Sequence, residues 1–297
     1  DAVKFQLVYA DELATPDYEY YDLFKDLEMD KDVWINVCNQ IHDAGKKVYF
    51  DVFGLFSLDM AKEIGADGVK LSTTEFYNNA LFDSAIVQLD TLYLSVGGIP
   101  VEDIDKKLSI LSKEQVDKIC LMYGLQSEPT PLDQNNLNKL SIFKNRYPNF
   151  RVGFMDHSDG ALDDAYQLSL VAMGTGINVI EKHITLDREL KIEDYISGVT
   201  PSEFIKFVDL IRRFEPVLGL NSLELTDQEQ AYRNKATKSV VAICDLKAGD
   251  TLTFNSVALK RCSKPITEGS ILEIEQALGK VLNIDINIDL PVTKGDL

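Results

Sequence analysis

The chain has 297 residues, of which 45% are hydrophobic and 26% are charged, so it predicts one large domain, or a large and a small one, with a buried core. Its formal net charge of −18 disfavours nucleic acid and anionic membrane surfaces as partners, and no apolar run is long enough to span a bilayer. The four cysteines are scattered without a CxxC pair, which favours a reducing, cytoplasmic location.

Strand-like and helical segments alternate along residues 2–217. The predicted strands are 2–8, 46–53, 67–72, 91–98 and 117–126, followed by one that ends at His157 and one that ends at His183. The predicted helices are 30–44, one with Ser57 as N-cap, 78–89, one that starts at Pro100, 133–147, and one from Pro201 to about residue 217.

Near-continuous apolar strands separated by amphipathic helices are typical of a parallel sheet covered by helices. The chain opens abruptly inside its first strand, so we expect an eighth strand upstream. Seven visible strands plus that one predict a TIM-type (β/α)8 barrel over residues 1–218. A doubly wound open sheet is the alternative, although no glycine-rich dinucleotide motif supports it.

The pattern changes after residue 218. Residues 219–237 are polar and charged, and we interpret them as a linker with a short helix. Residues 238–297 contain short strand-like pieces and turns such as KAGD and TKGD, which predict a small β-rich domain. Because a domain of about 60 residues buries little core, we expect it to pack on the barrel or on a second subunit.

His157 and His183 each follow a predicted strand of one strand–helix–strand unit. The segment between them has apolar residues at helical spacing, namely Ala165, Leu168, Leu170 and Val171. The carboxyl ends of barrel strands carry catalytic groups, and two neutral imidazoles there could bind one divalent metal. The alternative is a pair of hydrogen-bonded structural histidines. Asp156, Glu181 and Lys182 are candidate partners that orient the two rings.

Lys4 and Lys70 lie inside predicted strands, and alternation places Gln6 on the same face as Lys4. A lysine inside a barrel strand is costly to bury unless it meets an anion, so these positions predict a basic interior that binds phosphate or carboxylate. A lysine that extends to a barrel end is the alternative. Lys70 or Lys182 could also form a Schiff base, as in an aldolase.

Two loop positions add candidates for the same site. Glu75 follows strand 67–72 and is either a site carboxylate or an ordinary loop acid. Ser95 precedes Gly97 and Gly98, whose backbone amides could approach an anion, although a tight turn explains the same residues.

Several motifs, in this order and at these intervals, resemble the sialic acid synthase family: "VKFQ", "KLSTTE", "LSVGG", "EPTP", "GFMDHSDG" and "EKHITLDRELKIED". The segment "AICDLKAGDTLTFNSVALKRC" resembles that family's antifreeze-like (SAF) domain. The resemblance covers nearly the whole chain. It implies condensation of phosphoenolpyruvate with an N-acetylmannosamine-like sugar aldehyde, which gives a sialic acid or a related nonulosonic acid and releases phosphate.

The resemblance also implies roles for individual residues. His157 and His183 match ligands of a divalent metal, above all Mn²⁺, with Mg²⁺ or Co²⁺ as alternatives. The implied catalytic residues are Glu75, Lys70 and Lys4, and the implied substrate contacts are Gln6, Thr73, Ser95, Ser127, Asp194 and Arg261. Arg261 corresponds to an arginine that reaches the site of the other subunit, which implies a domain-swapped homodimer.

Some positions depart from the family pattern. Ser127 and Glu128 stand where the family has asparagine and tyrosine, and Asp51 stands where it has a threonine. Met155 replaces a serine and Tyr195 replaces a histidine. These changes fall on positions that contact phosphoenolpyruvate and the sugar, so the resemblance does not identify the acceptor sugar. A non-catalytic sugar- or anion-binding homologue is the alternative, and another pyruvate or phosphoenolpyruvate aldolase is a third interpretation.

Overall fold

The computed structural model describes all 297 residues and divides into two compact units, Asp1–Gly219 and Leu220–Leu297. The strands of the first unit are β1 (Ala2–Gln6), β2 (Lys47–Asp51), β3 (Gly68–Leu71), β4 (Leu92–Ser95), β5 (Ile119–Tyr123), β6 (Arg151–Asp156) and β7 (Val179–Lys182). Its helices are α1 (Ala10–Leu13), α2 (Tyr21–Asp26), α3 (Lys31–Asp43), α4 (Leu55–Glu63), α5 (Asn79–Gln88), α6 (Val101–Leu108), α7 (Lys113–Lys118), α8 (Asn138–Arg146), α9 (Asp164–Met173) and α10 (Pro201–Phe214). None of the helices combines the length and apolar character that a membrane span needs.

The seven strands form one sheet in sequence order, and every neighbouring pair is parallel. The sheet is strongly curled. Its two edge strands are β1 and β7, and the side chains of Lys4 on β1 and Glu181 on β7 lie only 3.7 Å apart. The predicted parallel sheet covered by helices is confirmed. A doubly wound sheet is excluded, because its strand order would reverse at a switch point. The eighth strand stays a prediction.

Alternation along the strands gives the sheet two different faces. The helix-covered face is apolar and packs against the helices, with Val48, Phe50, Val69, Leu71, Leu92, Leu94, Leu121 and Phe154 all buried. The inner face carries polar, aromatic and sulfur-containing side chains, which include Tyr49, Tyr93, Cys120, Met122 and Met155. The charged residues of the inner face lie on the same strands, so the fold itself brings them together.

Helix α4 begins at Leu55, and the prediction that Ser57 is its N-cap was wrong. Ser57 is the third helical residue, and its Oγ accepts a hydrogen bond from the backbone N–H of Gly54 at 3.1 Å. The carboxylate of Glu12 accepts bonds from the backbone N–H groups of Phe56 and Ser57, at 2.7 and 2.9 Å. An acid 44 positions earlier therefore caps this helix.

Three other details of the predicted helices need correction. The helix predicted from Pro100 begins at Val101, with Pro100 as its N-cap. The helix predicted over 133–147 is shorter, since a left-handed residue, Asn136, separates a 3₁₀ turn from α8. Val171 on α9 is 61% exposed, so it does not belong to the buried stripe that its spacing predicted.

The second unit contains α11 (Asp227–Ala236) and the antiparallel strands β8 (Ser239–Ala242) and β9 (Val257–Lys260). A capping box between Thr226 and Glu229 starts α11. The unit has its own apolar core, which includes Val240, Ala242, Leu246, Leu252, Val257, Ile271, Leu282, Ile286 and Val292. Its β-rich character agrees with the prediction.

Candidate active site

His157 and His183 directly follow β6 and β7, and alternation directs both side chains to the inner face. Their ring centroids lie 4.9 Å apart. His157 is only 5% exposed. Nδ1 of His157 and Nε2 of His183 are both buried without a hydrogen-bond partner. Each ring therefore offers a buried nitrogen that a ligand can engage.

Burial keeps both imidazoles neutral at neutral pH. Burial and, to a smaller extent, the neighbouring His183 ring lower the pKa of His157 to about 4. Burial also lowers the pKa of His183, although the carboxylates of Asp194 and Glu181 oppose that shift. Neutral imidazole is the form that binds metal ions.

Two carboxylates adjoin His183. The ligand atoms of Glu128, His183 and Asp194 all lie within 4.8 Å of one another, and Nδ1 of His183 is 3.5 Å from Oδ2 of Asp194. Lys191 and Asp194 both have a left-handed backbone, with φ of 48° and 62°. The loop that follows His183 therefore turns sharply at these two residues. Partial desolvation and the neighbouring Asp194 carboxylate together raise the pKa of Glu128 to about 7.

Nitrogen and oxygen donors in this arrangement fit a divalent metal such as Mn²⁺ or Zn²⁺. The two partnerless imidazole nitrogens are the observation that favours such an ion over a structural role. In the sequence, Glu128 stands out only as a departure from a motif. Its place in the loop after β5, next to the strand that ends at His157, was the available signal.

The interior cluster consists of Lys4, Asp51, Lys70 and Glu181, from β1, β2, β3 and β7. Lys70 Nζ is 2.6 Å from Glu181 Oε1 and 3.8 Å from Asp51 Oδ2, and Lys4 Nζ donates to Asp51 Oδ2. Burial alone would lower the pKa of Lys4, but the carboxylates of Asp51 and Glu181 outweigh it and raise that pKa overall.

This cluster corrects the prediction of a basic interior. Its two cations face two anions, because Asp51 and Glu181 point to the same face as the lysines. Lys70 does not extend to solvent, since its side chain is 3% exposed.

The helix-side cluster lies on the opposite face and consists of Asp156, Ser158, Ser169 and Lys182. Asp156 Oδ1 accepts bonds from Ser158 N at 3.0 Å and Ser158 Oγ at 2.6 Å, and it lies 3.2 Å from Lys182 Nζ. Ser169 Oγ on α9 donates to Asp156 Oδ2 at 2.8 Å. Asp156 and Lys182 therefore bond to this cluster, and the prediction that they orient the imidazoles was wrong.

Backbone contacts fix the histidine positions instead. The carbonyl of His157 accepts bonds from Thr130 N at 2.8 Å and Ser197 Oγ at 3.0 Å. The carbonyl of His183 accepts from Val199 N at 3.0 Å. These bonds tie the ends of β6 and β7 to the loops around the site.

The remaining predicted residues of the first unit lie in the loops after β3 and β5 or at the ends of β1 and β4. Thr73 Oγ1 donates to the carbonyl of Gly97 at 3.1 Å, and Ser95 Oγ is buried 3.5 Å from Met155 Sδ. Glu75 accepts a bond from Asn78 Nδ2 at 2.9 Å, and burial raises the pKa of Glu75 despite that bond.

Gln6 and Ser127 are exposed, and Gln6 stands opposite Asp51 in the sheet register. Ser127 contributes its backbone carbonyl to a bond from Thr130 Oγ1 at 3.0 Å. In the second unit, Arg261 Nε donates to the carbonyl of Ala236 at 2.6 Å. The structure thus brings Lys4 and Lys70 into one cluster and His183 and Asp194 into another, with the His157 ring next to that of His183, whereas Glu75 and Ser127 hydrogen-bond to neither cluster.

A cavity of about 570 Å³ opens between the edge strands β1 and β7, on the side where the expected eighth strand would lie. Its lining includes Lys4, Gln6, Glu181, His183 and Asp194. Its charged lining also includes Lys182 and Glu193, and its walls include apolar residues such as Trp34 and Phe207, so the cavity extends beyond the predicted site.

Fold and site together define a (β/α)-barrel protein with histidines and carboxylates at the carboxyl edge of its sheet. Residues 1–222 match the NeuB family, and residues 237–297 match the SAF domain. The chain therefore belongs to the NeuB family, with a C-terminal SAF domain.

Three similar proteins illustrate this membership. An uncharacterized protein of Methanocaldococcus jannaschii is 27% identical over 90% of this chain and 77% of that protein. The N,N'-diacetyllegionaminic acid synthase of Campylobacter jejuni is 28% identical over 77% of this chain, which spans only 66% of the synthase. The crystal structure of an N-acetylneuraminic acid (sialic acid) synthetase from Leptospira borgpetersenii matches with a TM-score of 0.71 and 28% identity, over 79% of this chain and 81% of that chain.

Proposed function

We propose that this protein condenses phosphoenolpyruvate with a 2-acetamido sugar aldehyde similar to N-acetylmannosamine, giving a sialic acid or a related nonulosonic acid and inorganic phosphate. The observation that carries the proposal is the pair of neutral histidines with partnerless buried nitrogens, beside the carboxylates of Glu128 and Asp194. The names of the Campylobacter and Leptospira relatives support the same reaction class.

His157 and His183 would hold a divalent metal, with the carboxylates of Glu128 and Asp194 adjacent. The mixed nitrogen and oxygen donors favour Mn²⁺ as the first candidate, with Mg²⁺ and Co²⁺ as alternatives. When bound, the ion would act as a Lewis acid that polarises the sugar aldehyde.

The side chains around it would bind and orient the two substrates. Lys4 and Lys70 would hold the anionic groups of the donor, with the hydroxyls of Thr73 and Ser95 as further contacts. Gln6 at the end of β1, Ser127 in the loop after β5 and Asp194 beside His183 would contact the substrates. The enol carbon of phosphoenolpyruvate would bond to the aldehyde carbon, water would add to C2 of the donor, and phosphate would leave by cleavage of its C–O bond.

Glu75 is our candidate for proton transfer to or from the sugar or water. Burial raises its pKa, so the carboxyl group is closer to neutrality and better matched to general acid–base work. Glu75 contacts Asn78 rather than the two clusters, so this role needs the substrate to extend toward the β3 loop.

The direct test is to incubate the protein with phosphoenolpyruvate, Mn²⁺ and a panel of 2-acetamido sugars, and to measure phosphate release together with the α-keto acid product. We expect one acceptor sugar to give phosphate and keto acid in equal amounts. We expect neither product when the metal is omitted. Phosphate release without keto acid, or no turnover with any acceptor, would contradict the proposal.

A binding protein without catalysis is the second candidate, because Asp51 is bonded to Lys4 and offsets its charge. In that case, sugar or anion binding would be measurable with no turnover. A Schiff-base aldolase is less favoured, since Lys70 and Lys182 are both bonded to carboxylates in the protein interior. A borohydride-trapped adduct with pyruvate would support it.

We further propose a cytoplasmic, domain-swapped homodimer in which Arg261 completes the site of the second copy. The support is the exposure of Arg261 just after β9, together with the resemblance of its motif. Residues 219–237 would then serve as the linker that spans the subunits. Mixing an Arg261→Ala protein with a His183→Ala protein should restore part of the activity, because one site of the heterodimer keeps both residues. No rescue despite exchange of tagged subunits would remove this arrangement.

A further inference from the structure

We propose that Asp51 makes the lysine pair select an oxyanion that carries a proton, such as a phosphate or phosphate ester with a P–OH group, over a fully ionised oxyanion. The inference deepens the proposed function, since it concerns the donor subsite of that same reaction. It rests on the position, burial and bonding of one carboxylate.

Asp51 is the last residue of β2 and is 4% exposed. Its Oδ2 is the oxygen that Lys4 and Lys70 approach. Its Oδ1 is buried and has no hydrogen-bond partner. A buried carboxylate oxygen without a donor costs free energy. We therefore interpret this oxygen as an acceptor for a hydrogen bond from a ligand.

The charges of the cluster add up to zero, with Lys4 and Lys70 positive and Asp51 and Glu181 negative. An ion such as sulfate that carries only acceptor oxygens would gain from the lysines but would be repelled by the Asp51 carboxylate. A phosphate group that keeps one proton can accept bonds from the lysines and donate its O–H to Asp51 Oδ1. The second ligand therefore satisfies every group of the cluster, and the first does not.

Access to this position is from the partly exposed end of the cluster, where the side chains of Lys4 and Glu181 are 19% and 18% exposed and Gln6 lies beside them. Lys4 is bonded to Asp51, Gln6 is its neighbour in the sheet register, and Glu181 is bonded to Lys70. These three residues adjoin Asp51 or its lysine partners, and Gln6 and Asp51 are the last residues of β1 and β2, so a ligand reaches the cluster from the carboxyl edge of the sheet.

The test is calorimetric titration of inorganic phosphate and of sulfate into the full chain near pH 7 and at equal ionic strength. We expect the wild-type protein to bind phosphate at least about tenfold more tightly than sulfate, the effect of one charge-assisted hydrogen bond. Asp51→Asn should lose this preference, because its amide can donate to sulfate. Asp51→Thr is the second variant if the first does not fold, and it should also lose the preference.

Two variants serve as controls. Asp90→Asn removes the same charge from a fully exposed side chain and should keep the wild-type ratio of affinities. Lys4→Met should weaken the binding of both ions. An unchanged phosphate-to-sulfate ratio in Asp51→Asn, or a wild-type protein that does not distinguish the two ions, would overturn the inference.

The outcome is independent of turnover. If Asp51→Asn loses the preference and the wild-type protein gives no condensation product, the inference stands and the proposed function is contradicted. Condensation with an unchanged ratio would contradict the inference alone.

Discussion

Two charged clusters lie on opposite faces of the same sheet, and adjacent residues of β7 contribute to both. Lys182 belongs to the helix-side cluster, where both oxygens of Asp156 have donors. Glu181 belongs to the interior cluster, where Oδ1 of Asp51 has none and two imidazole nitrogens beside it are also partnerless. Both clusters are largely buried, so the difference between them lies in how completely their polar groups are bonded.

The comparison separates a structural role from a binding role. A fully bonded buried ion pair stabilises a fold mainly in the sense that removing one partner is costly. A cluster with unmatched acceptors leaves free energy that a ligand can recover. We therefore expect substitutions on the helix side to change stability, and substitutions of the inner-face histidines to change binding.

The largest effect is expected from Lys182→Met. The substitution leaves Asp156 buried without its cation, which should lower the free energy of unfolding by about 3–5 kcal/mol. Urea denaturation followed by circular dichroism measures it. Lys31→Met, which breaks an exposed pair with Glu63, is the matched control and should cost less than about 1 kcal/mol. Equal losses in both variants would contradict a structural role for the helix-side cluster.

Two buried serines allow the same chemical change on each face. Ser169→Ala removes a donor from the Asp156 carboxylate and should cost about 2–3 kcal/mol. Ser95→Ala removes only a long contact to the sulfur of Met155 and should cost less than about 1 kcal/mol. The same denaturation experiment compares them, and a larger loss for Ser95→Ala would reverse the assignment of the faces.

The pH dependence of stability tests the inner face without a ligand. The pKa of His157 falls from an ordinary value of 6.5 to about 4, so the unfolded chain binds a proton in a range where the folded protein does not. Stability should therefore rise with pH between 4 and 6.5, and lowering the pH from 7 to 5 should cost about 2 kcal/mol at this residue. Denaturation in the presence of a chelator measures it. In His157→Gln, the loss of stability between pH 7 and pH 5 should be smaller by that amount. An unchanged loss would show that the ring is not buried in its neutral form.

Local patterns predicted much of this molecule. The strands that end at His157 and His183 follow from apolar runs that stop at polar residues, and alternation along β7 placed His183 with Glu181 on one face. Both signals span only a few neighbouring residues, which is why a sequence contains them.

The contacts that decide the chemistry join distant residues, and those were not predicted. Lys70 and Glu181 are 111 positions apart, Lys4 and Asp51 are 47 apart, and Glu12 caps a helix 44 positions later. No propensity or spacing links such pairs, because the curl of the sheet, the pairing of β1 with β2 and the position of α1 bring them together. The position of Glu128 beside His183 depends on a loop in the same way.

The most direct test of the account is a Mn²⁺ titration of the metal-free protein, followed by electron paramagnetic resonance of the free ion. His157→Gln and His183→Gln are compared with His42→Gln, whose ring is bonded to Asp67 away from the inner face. We predict one tight site in the wild-type protein and in His42→Gln, and a loss of affinity of at least about a hundredfold in each of the other two variants. Equal Mn²⁺ binding by all four proteins would contradict the claim that the partnerless histidines form a ligand site.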